Sequence, residues 1–133
     1  MWQQPKMDWQ AVDDVLCSDY NRIKGNIEFL KELAYTLYTP FPFNEMGADK
    51  TEEEYPYADE INLIADNLEL LSAGTYHEDV GDKIIYRDNG PYIDYIDLNR
   101  IEGATLKLYN KLNNQYKGRR MLTFMLGERG ALG

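Results

Sequence analysis

The sequence predicts a mainly helical α+β fold: a three-helix bundle of internally repeated helices, joined by a small antiparallel β-hairpin and a C-terminal strand. Three observations lead there. Residues 19–30 read DYNRIKGNIEFL and residues 97–108 read DLNRIEGATLKL, with Asp, Asn, Arg, Ile and Gly at the same offsets. A weaker copy, DEINLIADNLELL at 59–71, aligns Asn62, Ile64, Asn67 and Glu69 with Asn21, Ile23, Asn26 and Glu28. Such repetition builds a fold from similar units that pack on one another. Finally, apolar residues recur at helical spacing in three stretches and at strand-like spacing in two others.

The first helix is predicted over 18–38, with Ile23, Ile27, Leu30, Ala34 and Leu37 as its buried face. Ser18 is placed to cap it, Asp19 suits the positive first turn, and Pro40 and Pro42 stop it. Residues 39–57 read as a long acidic loop, within which Phe41, Phe43 and Met46 are apolar enough to tuck against the bundle. A second helix follows over 57–72, ended by Gly74. KIIYR and PYIDY around Asn89-Gly90 suggest a hairpin over 83–94, although Pro91 cannot donate the closing bond of a tight turn. The third helix spans 95–116, capped by Asp94 and ended by Lys117-Gly118. RRMLTFML then suits a strand over 119–126, within one domain covering 1–133.

Composition limits the function. The net charge is −9, distributed as −2 over residues 1–40, −11 over 41–82 and +4 over 83–133. An acidic total disfavours nucleic acid, whose phosphates are held mainly by Lys and Arg. The asymmetry reads as a solvated acidic loop or as complementary contact between subunits or partners. No apolar run reaches the roughly 20 residues needed to span a bilayer, and MWQQPKMDW lacks the blocks of a secretory signal, so cytoplasmic synthesis is expected. Cys17 and His77 are the one cysteine and the one histidine. Neither supports nucleophilic catalysis or a zinc site, and a buried structural role suits Cys17. Carboxylates at 52–54, or Asp79 with Asp82, lack the spacing of a calcium loop. No catalytic residue, metal or cofactor is expected.

The repeat supplies the candidate sites. Gly25 and Gly103 share a position where glycine costs about 1 kcal/mol relative to alanine, which points to close helix packing. Asn21 and Asn99 lie beside that contact, where their amides can bond backbone groups. Arg22 and Arg100 sit three residues after Asp19 and Asp97, a spacing that suits ion pairs. Alternatively, the Asn-Arg pairs form a partner site, together with Glu52, Glu53, Glu54, Arg119 and Arg120. Trp2 and Trp9 are the aromatic residues available to a carbohydrate surface, though aromatics capping a small core are the plainer reading.

MWQQPKMDW, DYNRIKGNIEFLKELA, EYPYADEINLIADNLELL, NGPYIDYIDLNRIEGATLKLY and GRRMLTFMLG resemble small proteins encoded in the tail and baseplate gene regions of tailed phages and prophages of Gram-positive bacteria. In those proteins an Asp-Leu-Asn-Arg-Ile-Glu helix recurs, often within larger baseplate or receptor-binding subunits. The likeness covers nearly the whole chain, with departures at Tyr20, Lys24, Ala104 and Thr105. It implies a non-enzymatic structural or assembly protein that contacts other tail or baseplate proteins; homo-oligomers are a separate expectation, drawn from the charge asymmetry. It also implies a host-cytoplasmic origin and a place in the virion tail. An adhesion module that binds host cell-wall carbohydrate is the alternative.

Overall fold

Three helices, α1 (Cys17–Leu37), α2 (Ala58–Gly74) and α3 (Tyr95–Gly130), are the regular elements of the computed structural model. It describes residues 2–130 apart from 53, 55, 88, 89 and 91, with side chains described as far as Arg119. The periodic apolar faces form helices as expected, and each helix start carries an acid. In α1 the Asp19 carboxylate accepts the backbone N–H of Leu16 at 2.9 Å, and in α2 Glu60 accepts that of Tyr57 at 2.8 Å. Asp94 caps α3 directly by accepting the N–H of Asp97 at 2.9 Å. Ser18 does not cap α1, because the helix begins one residue before it.

All three helices run in the same direction. Lys50 joins the first turns of α1 and α2, since its backbone bonds Asn21 and its ammonium reaches Glu60 at 2.6 Å. Tyr86 does the same for α2 and α3 through Asn62 and Asp97. Arg22 pairs with Glu102 at 2.9 Å, joining the starts of α1 and α3. At the other end, the Tyr38 hydroxyl donates to Gln115 at 2.9 Å. Short connections make helices antiparallel. Here the connections of about twenty residues after α1 and after α2 travel back along the bundle before the next helix begins.

Parallel packing brings equivalent repeat positions to the axis. Tyr20, Ile61 and Leu98 occupy one such position; Ile23, Ile64 and Ile101 the next; and Leu30, Leu71 and Leu108 one further along, all buried in a single core. The first two sets line one small apolar cavity. Between them and the leucines lie Ile27, Leu68 and Thr105, and Thr105 satisfies its hydroxyl on the Ile101 carbonyl at 2.7 Å. The alternating three- and four-residue steps along α1 make this the seam of a three-stranded parallel coiled coil folded from one chain.

Two predicted β elements are absent. No strand occurs among the described residues. The segment 83–87 pairs with a helix side chain instead of a second strand, and the Gly90 N–H closes a turn on the Arg87 carbonyl at 3.0 Å. The Asn89 and Pro91 tip lies outside the described residues. Residues 119–126 are helical rather than a strand, since α3 continues through Gly118 to Gly130. A single glycine costs too little to end a helix already nucleated upstream, and with Met121 and Met125 interleaved among Leu122, Phe124 and Leu126 the apparent alternation has no polar face.

The glycine reading also changes. A Cβ at Gly25 meets nothing within 4 Å, and one at Gly103 meets the Met7 Cε at 3.3 Å, so neither glycine lies at a close helix contact. Gly74 is the position that needs its missing side chain, because the Phe41 ring rests where a Cβ would stand, 2.3 Å away. Gly25→Ala should therefore stabilise the protein by up to about 1 kcal/mol through helix propensity alone. Urea denaturation measures this; a destabilised variant would restore a packing role for Gly25.

Candidate functional site

Between the helices run three non-helical straps, residues 3–9, 44–50 and 80–86, one ahead of each helix. A strap lying in a groove buries backbone N–H and C=O groups that must find partners. An asparagine amide offers one acceptor and two donors, so it can bond both groups of a single residue as a neighbouring β-strand would. Five asparagines do so. Asn21 holds Lys50 (2.7 and 2.8 Å), Asn62 holds Tyr86 (2.8 and 2.8 Å), and Asn99 holds Trp9 (2.9 and 3.0 Å). These are the repeated asparagines, and each grips the strap that leads into another helix.

Five residues further along, Asn26 holds Gln3 (2.8 and 2.7 Å) and Asn67 holds Asn44 (2.9 and 2.9 Å), each on the strap preceding its own helix. Five residues turn a helix by roughly 140°, so the two asparagines of α1 or α2 face the two grooves on either side. Every strap is thus seated between two helices and descends towards their N-terminal ends. In α3 the corresponding position is Ala104, and the third strap is held there by Arg100, which donates to the Val80 carbonyl at 2.7 Å.

A second repeat position strengthens the grip. Glu102, buried among the first strap, α1 and α3, accepts the Lys6 backbone N–H at 3.1 Å and the Trp9 indole N–H, and receives the Arg22 guanidinium. Lys24, its counterpart in α1, reaches Asp49 of the second strap at 2.7 Å and Glu28 at 3.2 Å. Burial pulls the Lys24 ammonium down, but its two carboxylate partners outweigh this and hold it above the usual lysine value. Burial likewise opposes the charge on Arg22, and the Asp19 hydrogen bond and the Glu102 charge overcome it.

These contacts relocate the predicted site residues. Asn21 and Asn99 do bond backbone, that of straps rather than that across a helix contact. The Asp19–Arg22 and Asp97–Arg100 ion pairs form at 2.8 and 2.6 Å. Both arginines are thereby engaged inside the chain, against a role for them as partner contacts. Trp9 is 4% exposed and lies in the core, while half-buried Trp2 packs against the core and stacks on Tyr109 at 3.9 Å, which leaves no open pair of indoles for a carbohydrate platform. Cys17 is half-buried rather than enclosed. Glu52, Glu54 and Arg119 are exposed, whereas Glu53 and the Arg120 side chain lie outside the described residues. Among the described residues no cluster of three metal-ligating side chains occurs, and no helix is long and apolar enough to cross a membrane. Asn26, Asn67, Lys24 and Glu102 were not singled out by sequence reasoning, though the weak third copy already aligned Asn26 with Asn67.

No family model, curated protein or solved structure matches the chain.

Asn67 is fully buried, which makes it the sharpest test of the clamps. Asn67→Asp keeps the shape but cannot donate to the Asn44 carbonyl, and it buries a charge. A loss of about 2–4 kcal/mol is expected in urea unfolding; a loss below about 0.5 kcal/mol would remove the clamp's energetic role.

The tyrosines predict an alkaline limit. Burial, with nearby Glu60 and Glu28, pushes the Tyr20 hydroxyl up to about 12. Burial, with the hydrogen bond to Asp97, raises Tyr86 in the same direction. The folded state holds these protons more tightly than the unfolded chain, whose tyrosines titrate near 10. Their stabilising contribution is therefore full below pH 10 and is lost as pH rises towards 12. Tyrosinate absorbance from these residues should appear together with loss of helical circular dichroism; full titration near pH 10 with the helices intact would contradict it.

Proposed function

We propose that this chain is a non-enzymatic structural or assembly protein of a phage tail or baseplate, working through contacts with other tail proteins and with copies of itself. The resemblance of its repeated helix to tail and baseplate proteins supports this reading. One observation carries it beyond resemblance. The polar residues that make the repeat recognisable, Asn21, Asn62, Asn99, Arg22 and Arg100, are committed to clasping the chain's own straps and ion pairs. A motif used in this way is a building device rather than a binding or catalytic site, which suits a structural role. The adhesion alternative is weakened by the burial of Trp9 and the stacking of half-buried Trp2 on Tyr109.

Mass spectrometry of tail particles and tail-assembly intermediates, purified after prophage induction, tests the proposal. The chain is expected at a fixed ratio to the other tail proteins. Its absence from both particles and intermediates would overturn the tail assignment.

A further inference from the structure

Of the three grooves that hold straps, one is unfinished. Midway between their clamps the first and second straps bury an apolar residue, Pro5 and Met46, each two positions after the residue held by the second asparagine. Charged side chains at one repeat position also reach these two straps, Glu102 the first and Lys24 the second. The third strap has neither anchor. Asp82 stands where Pro5 and Met46 do and is exposed, and α2 offers Ala65 where α3 has Glu102 and α1 has Lys24. The backbone of residues 82–85 has no hydrogen-bond partner among the described residues. An open cavity of about 210 Å³ lies between this stretch and α2, lined by Ala65, Asp66, Ile84 and Ile85 among others. Ile84 is 49% exposed and Ile85 66%. Two adjacent isoleucines open on the one groove that lacks its anchor form an apolar patch, the mark of an interaction surface.

The charges around the pair identify the partner. The strap reads Asp82-Lys83-Ile84-Ile85-Tyr86-Arg87. Lys83 is used within the chain, on Asp66 at 2.8 Å and Glu69 at 3.5 Å, and the Tyr86 hydroxyl is spent on Asp97. Asp82 and Arg87 are exposed and form no ion pair among the described residues. Asp82 precedes the isoleucines by two positions and Arg87 follows them by two, so the segment turned end for end is its own complement. With two straps antiparallel about an axis between the isoleucines, Ile84 of each copy meets Ile85 of the other, and Asp82 meets Arg87 at two places. Opposite charges facing one another on either side of an apolar contact favour this alignment and fix its register.

We infer that the third strap is a homodimer interface, where two copies pack strap against strap across a twofold axis with Ile84 and Ile85 at the centre and an Asp82–Arg87 ion pair on either side. The same patch serves both copies, so the assembly closes at two. The partner covers on this face what Pro5 and Met46 cover for themselves on the other two. This rests on the assembly reading and deepens it by naming one partner, a second copy of the chain.

Sedimentation equilibrium of the full chain at about 50 mM and 500 mM salt tests it. Average mass should rise with concentration to that of a dimer and no further, and the association should weaken at the higher salt. Asp82→Arg and Arg87→Asp, made separately, each set like charges against one another at two places and should weaken dimerisation by about tenfold or more, while the two changes combined in one chain should restore most of it. Ile85→Gln, at the apolar centre, should also weaken association. All three side chains are exposed, and unchanged thermal melting checks that the bundle is intact. A monomer at every concentration, growth beyond a dimer, a dimer indifferent to the separate changes, or no restoration in the combined variant would each overturn the proposal. Dimerisation by a chain missing from tail particles would leave this contact standing and remove the tail assignment. A strictly monomeric chain found in particles would do the reverse.

Discussion

The structure depends on one interaction, the two-point hydrogen bond between an asparagine side chain and the backbone of a strap residue. A parallel three-helix bundle in a single chain requires each connection to return the length of a helix. Such a connection lies in a groove where its peptide groups lose water. Unpaired, each of those groups costs about 1–3 kcal/mol. Five asparagines satisfy ten of them, so the return paths become part of the packing.

The connectivity of these clamps makes the fold cyclic. The strap before α1 is gripped by α1 and α3, the strap before α2 by α2 and α1, and the strap before α3 by α3 and α2. Glu102 and Lys24 show how a repeat can diverge and keep its role. They occupy the same position with opposite charge, and each reaches a strap. α2 carries Ala65 at that position, and α3 carries Ala104 in place of the second asparagine. The strap held between these two helices is also the one with exposed Ile84 and Ile85.

Much of this architecture was legible in the sequence. Helical periodicity located α1 and α2 to within two residues and placed the start of α3 and its Asp94 cap correctly. The alignment of Asn62 and Asn67 with Asn21 and Asn26 already held the outline of the clamps. The straps were hidden because their partners are remote: Trp9 meets Asn99 across 90 positions and Tyr86 meets Asn62 across 24. A segment whose backbone is satisfied by side chains reads like a strand, which is why KIIYR looked like half a hairpin. The tryptophans misled for a related reason, since an indole near the start of a chain gives no sign of the buried carboxylate, Glu102, that receives it.

Hydrogen exchange at single-residue resolution tests the clamp account most directly. The backbone amides of Gln3, Trp9, Asn44, Lys50 and Tyr86 lie in neither helix nor sheet, so in ordinary loops they would exchange rapidly. Held by asparagine clamps, two of them through the buried Asn26 and Asn67, they should open only with the bundle, showing protection close to that of the core amides of Ile27 and Leu108. Amides elsewhere on the same straps that lack such a bond should exchange far faster. Uniformly fast exchange along all three straps, with the helices still protected, would show that the asparagine clamps do not hold the fold together.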